Sequence, residues 1–162
     1  MSSPQVKGIG VHVKVADISK SREFYESLGF KPVFGYGDDE FRASLPEGCG
    51  SAPERYRGIT YQLTEDINYE IAEGHIAVKP EVFSEIITSP KISAMIRVNS
   101  LESILKNHNV NRKFPVRRYY WGTIEAAVRD PDGFVLVFVA QDTDEERAAV
   151  AELVDLETVD AG

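Results

Sequence analysis

The chain has 162 residues, of which 43% are hydrophobic, so it can bury one ordinary core or two small halves of one, and no apolar run approaches the about 20 residues of a membrane span. Its single cysteine, Cys49, excludes an internal disulfide and a cysteine-based zinc cluster, and Met1–Lys7 has no signal-peptide layout, so a soluble cytoplasmic protein is expected. The formal net charge of −8 sits almost wholly at one end, where residues 142–162 hold eight acids against the single base Arg147, so neither nucleic acid nor an anionic membrane is an expected partner.

Residues 8–16 alternate Val11, Val13 and Val15 against Gly10, His12, Lys14 and Ala16, which predicts a strand with one apolar face. Asp17 offers a side-chain oxygen as an N-cap. Ser21, Phe24, Tyr25 and Leu28 then recur at helical spacing, Gly29 suits the position after a helix, and Phe30 a packing contact just beyond it. Lys31 to Tyr36 predicts a second strand. Residues 37–58 break the pattern with Gly37, Pro46, Gly48, Gly50 and Pro53, and a short strand from Phe41 to Leu45 is read inside this excursion. An excursion of this length serves as a lid, as a dimer contact or simply as a mobile loop. Residues 59–65 and 67–72 predict strands, Glu73-Gly74 a turn, and His75 to Lys79 a returning strand. Pro80 and Pro90 bracket a connector with a short helix from Glu81 to Ile87.

Residues 92–99 alternate again, with Ala94, Ile96 and Val98 against Ser93, Met95, Arg97 and Asn99. Ser100 is a second N-cap, followed by Leu101, Ile104, Leu105 and His108 at helical spacing. Phe114 to Tyr119 and Trp121 to Arg129 predict two strands. The strongest local signal follows in Asp130-Pro131-Asp132-Gly133 and the apolar run Phe134 to Phe138. Pro131 presets its φ near −65°, and Gly133 tolerates the positive φ at which a chain reverses. The run behind the turn suits a strand buried on both faces. Residues 144–156 predict a short amphipathic helix with Val150, Leu153 and Val154 on one side, in an acidic tail otherwise expected to be solvated.

The order strand, helix, strands thus occurs twice. Asp17 corresponds to Ser100 and Gly74 to Gly133, and the shortfall in spacing matches the excursion at 37–58. The stretch Val-Lys-Val-Ala-Asp-Ile-Ser-Lys-Ser-Arg-Glu-Phe-Tyr-Glu-Ser-Leu-Gly-Phe, residues 13–30, resembles the opening strand and helix of the vicinal oxygen chelate superfamily. That superfamily includes glyoxalase I, extradiol dioxygenases and bleomycin-resistance proteins. Asp130 to Phe138 is similar to its closing hairpin, and the resemblance spans roughly 8–141. It implies an α+β fold in which two βαβββ modules form a curved mixed sheet around a cavity; a ferredoxin-like domain is the rival. One domain would cover 1–141, with module 1 at about 8–80, module 2 at about 91–141 and the insert at 37–58, followed by the tail 142–162.

In metal-dependent relatives, His, Gln or Glu from the first and last strands of each module hold a divalent ion. The resemblance places these positions at Gly10, Val78, Ser93 and Val137, none of which is a strong donor. The spare donors are His12, Glu70 and His75, and no metal or other cofactor is expected.

Strand parity predicts that Gly10, His12, Lys14, Ser93, Met95 and Arg97 line the cavity, with the alternate valines, Ala94 and Ile96 under the helices. His12 is a candidate general base, or is hydrogen-bonded to a neighbouring strand. Lys14 and Arg97 either place two cations toward an anionic ligand or snorkel outward and pair with Glu70 or Glu125. Tyr61, Tyr69, Tyr119, Tyr120 and Trp121 either wall a flat ligand or pack as core. The expected function is a metal-free small-molecule-binding protein of the glyoxalase and bleomycin-resistance type, with an anionic or aromatic ligand. His12, Lys14, Met95, Arg97, Tyr69 and Trp121 are its expected contacts. The alternative is a glyoxalase- or dioxygenase-like enzyme, a lyase, isomerase or ring-cleaving enzyme, using a displaced metal site or His12 as base. The resemblance also implies a homodimer.

Overall fold

The structure, a computed structural model, describes residues 5, 7–74, 81–89, 91–110 and 114–162. The chain divides into two units, residues 1–86 and 87–162. Each is built on its own five-stranded mixed sheet with short helices, giving the expected α+β class. The returning strand read at His75 to Lys79 lies outside the described residues.

The first unit runs β1 (Ile9–Lys14), α1 (Ile18–Ser27), β2 (Pro32–Gly37), α2 (Asp39–Ala43), β3 (Gly50–Pro53), β4 (Gly58–Thr64), β5 (Ile67–Ala72) and α3 (Glu81–Ser84). Its sheet order is β1-β5-β4-β2-β3, with β1 parallel to β5 and β3 parallel to β2. The Asp17 carboxylate caps α1 by accepting from the Ser19 and Lys20 amides at 3.0 and 3.1 Å. At the other end Gly29 takes φ +89°, which lets the Phe30 amide reach back to the Tyr25 carbonyl and the Gly29 amide to Glu26. The apolar stripe of α1 covers one face of the sheet. Tyr25, Tyr61 and Tyr69 are fully buried there with Val15, Ile18, Ile59 and Ile71.

This corrects the expectation for Tyr69. It is 0% exposed, and its hydroxyl lies 2.6 Å from that of Tyr25. Tyr69 sits opposite Val11 in the β1–β5 register, so parity turns it away from its neighbour Glu70 and into the core. A tyrosine is amphipathic enough to suit a wall or a core, and only the register distinguishes the two.

The second unit runs β6 (Ser93–Arg97), α4 (Glu102–Leu105), β7 (Val116–Tyr119), β8 (Thr123–Arg129), β9 (Val135–Gln141), α5 (Asp144–Ala151) and β10 (Leu156–Val159). Its sheet order is β10-β7-β8-β9-β6. The order β1-β5-β4-β2 of the first sheet therefore recurs as β6-β9-β8-β7, so the βαβββ repeat is real. Each sheet also gains one strand at the equivalent edge: β3 pairs parallel outside β2, and β10 pairs parallel outside β7. A short helix precedes each added strand. The excursion at 37–58 and the acidic tail do the same job, covering backbone groups that the bare module would leave open.

Two local expectations change accordingly. Phe41 to Leu45 is not a strand: Asp38 caps α2 through the Phe41 amide at 2.8 Å, and Phe41 packs inward. The tail is not merely solvated. Val150 is fully buried, and the 6%-exposed Glu146 accepts the Leu101 amide at 2.7 Å. Ser100 accepts the next amide, that of Glu102, at 3.2 Å, so a tail carboxylate and a local hydroxyl share the start of α4. Among the described residues no helix is long and apolar enough to cross a membrane.

The tail is also held by charge. Asp142 accepts Arg118 of β7 at 2.6 Å and pairs with Arg147 of α5. The Arg118 hydrogen bond is the main reason its carboxyl lies below the ordinary range; desolvation opposes the shift and Arg147 adds to it. A carboxyl lower in the folded than in the unfolded chain stabilises above the unfolded value, about 3.9. That contribution is lost as pH falls through the folded value. Asp142→Asn is therefore expected to flatten the acid side of a melting-temperature profile below about pH 4, and an unchanged slope would discount the pairing.

Candidate functional site

In the first sheet the face opposite α1 carries the candidate site. Register places its side chains in rows across the strands: Phe34, Thr60, Glu70 and His12 in one, and Tyr36, Gly58, Ala72 and Lys14 in the next. Glu70 is the hub. The Tyr36 hydroxyl donates to Glu70 Oε1 at 2.7 Å, and His12 Nε2 stands 3.8 Å from the same oxygen. Burial first, then the hydrogen bond to Glu70 and the charges of Glu70 and Glu54, push the Tyr36 phenol well above the usual tyrosine range. Tyr36 therefore stays a protonated donor at neutral pH.

These residues border a cleft of about 440 Å³ within the first unit. Phe34, Tyr36, Pro53 and Tyr56 form its apolar walls, and His12, Glu54 and Glu70 its polar groups. Two glycines seat the walls. A Cβ at Gly58 would lie 2.2 Å from the Tyr36 ring, and one at Gly74 would lie 2.1 Å from the Tyr56 ring. The rings rest directly on backbone where any side chain would displace them.

The expected contacts are drawn from both units. His12 lines the cleft, whereas Lys14 shares its face one row farther along, opposite Ala72, without lining it. Tyr69 is buried on the other face. Met95, Arg97 and Trp121 belong to the second unit. There Met95 is 65% exposed opposite Val137, and Arg97 is exposed opposite Val139. Trp121 is 54% exposed, stacks on Tyr119 at 4.2 Å and donates its indole N–H to Thr123 Oγ1 at 2.8 Å. The sequence reading missed Phe34, Tyr36, Glu54 and Tyr56, all of which lie on β2 or its flanking excursion with no hydropathy period to mark them. Glu70 was legible as a partner: Asn68 and Glu70 alternate with the apolar Tyr69 and Ile71, so they share the face of His12.

Register also revises the family metal positions. Val78 and His75 lie outside the described residues. Val137 pairs with Met95, and the matching pair in the first sheet is Glu70 with His12. Gly10 and Ser93 sit one step along, opposite Asn68 and Val135. The first module thus offers two donors and the second, at the same places, a thioether and a valine. A divalent centre takes about three protein donors. Among the described residues no three His, Cys, Asp or Glu side chains converge to hold an ion.

No protein-family model and no curated protein matches the sequence. Solved structures do. FosX, a fosfomycin resistance protein of Listeria monocytogenes, in a complex with Mn(II) and sulfate, is 19% identical with a TM-score of 0.51, over 91% of this chain and 99% of that one. UcmS2 is 17% identical with a TM-score of 0.57, over 86% and 98%. Glyoxalase I of Zea mays is 14% identical with a TM-score of 0.59, over 85% of this chain and 45% of that one. With the doubled βαβββ order, these likenesses identify the architecture: this chain has the vicinal oxygen chelate fold.

Proposed function

We propose that this protein binds a small aromatic organic molecule in the cleft of its first module, without a metal ion. The observation that carries this reading is the cleft lining, three aromatic rings beside a histidine–glutamate pair. Apolar walls with a few convergent polar groups are the ordinary make-up of a ligand site. Two ring positions are fixed by glycine backbone, so little ordering is left for the ligand to impose.

Native mass spectrometry of protein purified from its own host is expected to show a retained organic molecule and no divalent ion. A stoichiometric ion would remove the metal-free part of the reading. Phe34→Ala is expected to weaken a neutral aromatic probe, 2-naphthylmethanol, by about tenfold, the equivalent of the about 1.4 kcal/mol that losing part of a ring contact costs. An unchanged dissociation constant would place the site elsewhere.

A second reading is enzymatic. Glu70 Oε1 stands near enough to His12 to orient the imidazole and to stabilise its protonated form after it removes a proton from a bound substrate. In that case His12→Gln abolishes turnover in glyoxalase-type isomerisation or ring-cleavage assays while ligand affinity is retained.

A further inference from the structure

The cleft carries charge of one sign. Glu54 and Glu70 are its carboxylates, and among the described residues no lysine or arginine lines it. Among the described residues His12 is the one lining group able to balance them, and it faces Glu70 at 3.8 Å. Of the cations nearby in sequence or register, Lys14 shares the row of Tyr36 without lining the cleft, Arg57 is paired with the Glu73 carboxylate, and Arg55 stands over the Tyr56 ring at 5.3 Å. The Tyr36 hydroxyl donates to Glu70 at 2.7 Å, and Glu54 lines the same cleft.

An anionic ligand in this cleft would meet two carboxylates with, among the described residues, no guanidinium or ammonium in the wall. A protonated nitrogen would instead gain charge-assisted hydrogen bonds from the carboxylates and the attraction of the ring faces around them. We propose that the cleft selects ligands carrying a protonated nitrogen beside an aromatic ring, with Glu54 and Glu70 taking the nitrogen and Phe34 and Tyr56 the ring. This selectivity rests on the cleft being the ligand site proposed above. It departs from the anionic ligand that Lys14 and Arg97 led us to expect, because neither of those cations lines the cleft.

Isothermal titration of the full chain with 2-naphthylmethylamine, 2-naphthylmethanol and 2-naphthoate separates the possibilities, since the three share a ring system and differ in charge. The amine is expected to bind about tenfold tighter than the alcohol, as a charge-assisted hydrogen bond exceeds a neutral one by about that factor, and the carboxylate to bind weakest. In the double variant Glu54→Gln and Glu70→Gln, the amine should fall to the affinity of the alcohol. An unchanged circular dichroism spectrum and melting temperature report that the variant is folded. Glu23→Gln, on the exposed side of α1, should leave the tenfold ratio intact. Equal affinities for the three probes, or a ratio that survives in the double variant, would overturn the selectivity and leave the site standing. Failure of all three probes to bind would overturn the site and the selectivity with it.

Discussion

Gly133→Ala is expected to destabilise the protein by about 3 kcal/mol, a large fraction of the whole stability of a chain this size. Two costs combine. Gly133 has φ +90°, a left-handed conformation that costs an L-residue about 1–2 kcal/mol. An added Cβ would also lie 2.0 Å from the Ile87 carbonyl oxygen and 3.0 Å from its carbon. That neighbour cannot turn aside as a side chain could, since the Ile87 amide is itself bonded to the Asp132 carbonyl at 2.8 Å. The turn is also rigid from within: Asp130 Oδ1 accepts the Asp132 and Phe134 amides at 3.0 and 2.8 Å. Gly122→Ala is the matched control. It has φ +93° but open space around the added methyl, so it should lose only the conformational part. Urea denaturation of both variants measures the difference. Equal losses would mean that the contact with Ile87 yields easily.

Glu146→Ala should cost about 2 kcal/mol, because it removes the acceptor from a buried amide and leaves that amide without its charged partner. The Leu101 amide opens α4, and Leu101 itself is fully buried. Glu146 is anchored on its own side by the α5 cap, where Thr143 Oγ1 accepts the Glu146 amide at 3.1 Å. Glu146→Gln keeps an acceptor and should lose about half as much. Thermal denaturation gives the ranking, and hydrogen exchange at the Leu101 amide gives the location. If exchange there is unchanged in Glu146→Ala, the tail is not what holds the start of α4. Truncation before Asp142 should be worse still, since it removes β10 and re-exposes the β7 edge.

The elements that the sequence announced are those whose signals are local. Asp17 and Gly29 bracket α1 because a cap and a left-handed glycine act on their own neighbours. Alternation in 9–14 and 93–97 gave the correct faces of β1 and β6, since a half-buried strand must alternate. The doubled order of elements was legible for the same reason. Phe41 misled: a lone aromatic among turn formers fits a one-turn helix as well as a short strand. Residues 50–53 and 156–159 carry no apolar alternation, because an added edge strand is recruited by the open backbone of its neighbour and not by its own hydropathy.

Composition, the repeat and the pattern of caps belong to the chain itself, and they determined that two βαβββ modules would form. They did not determine which glutamate meets His12. Matching Gly74 with Gly133 pointed to Val78, whereas pairing along β1 and β5 brings Glu70 to that place. Shifting a strand by one residue exchanges its two faces, and shifting it by several exchanges the residues that meet. Such a register is fixed by hydrogen bonds between strands more than fifty residues apart in sequence. The aromatic walls followed the same rule, Tyr36 and Tyr56 settling over Gly58 and Gly74 only once the strands had paired.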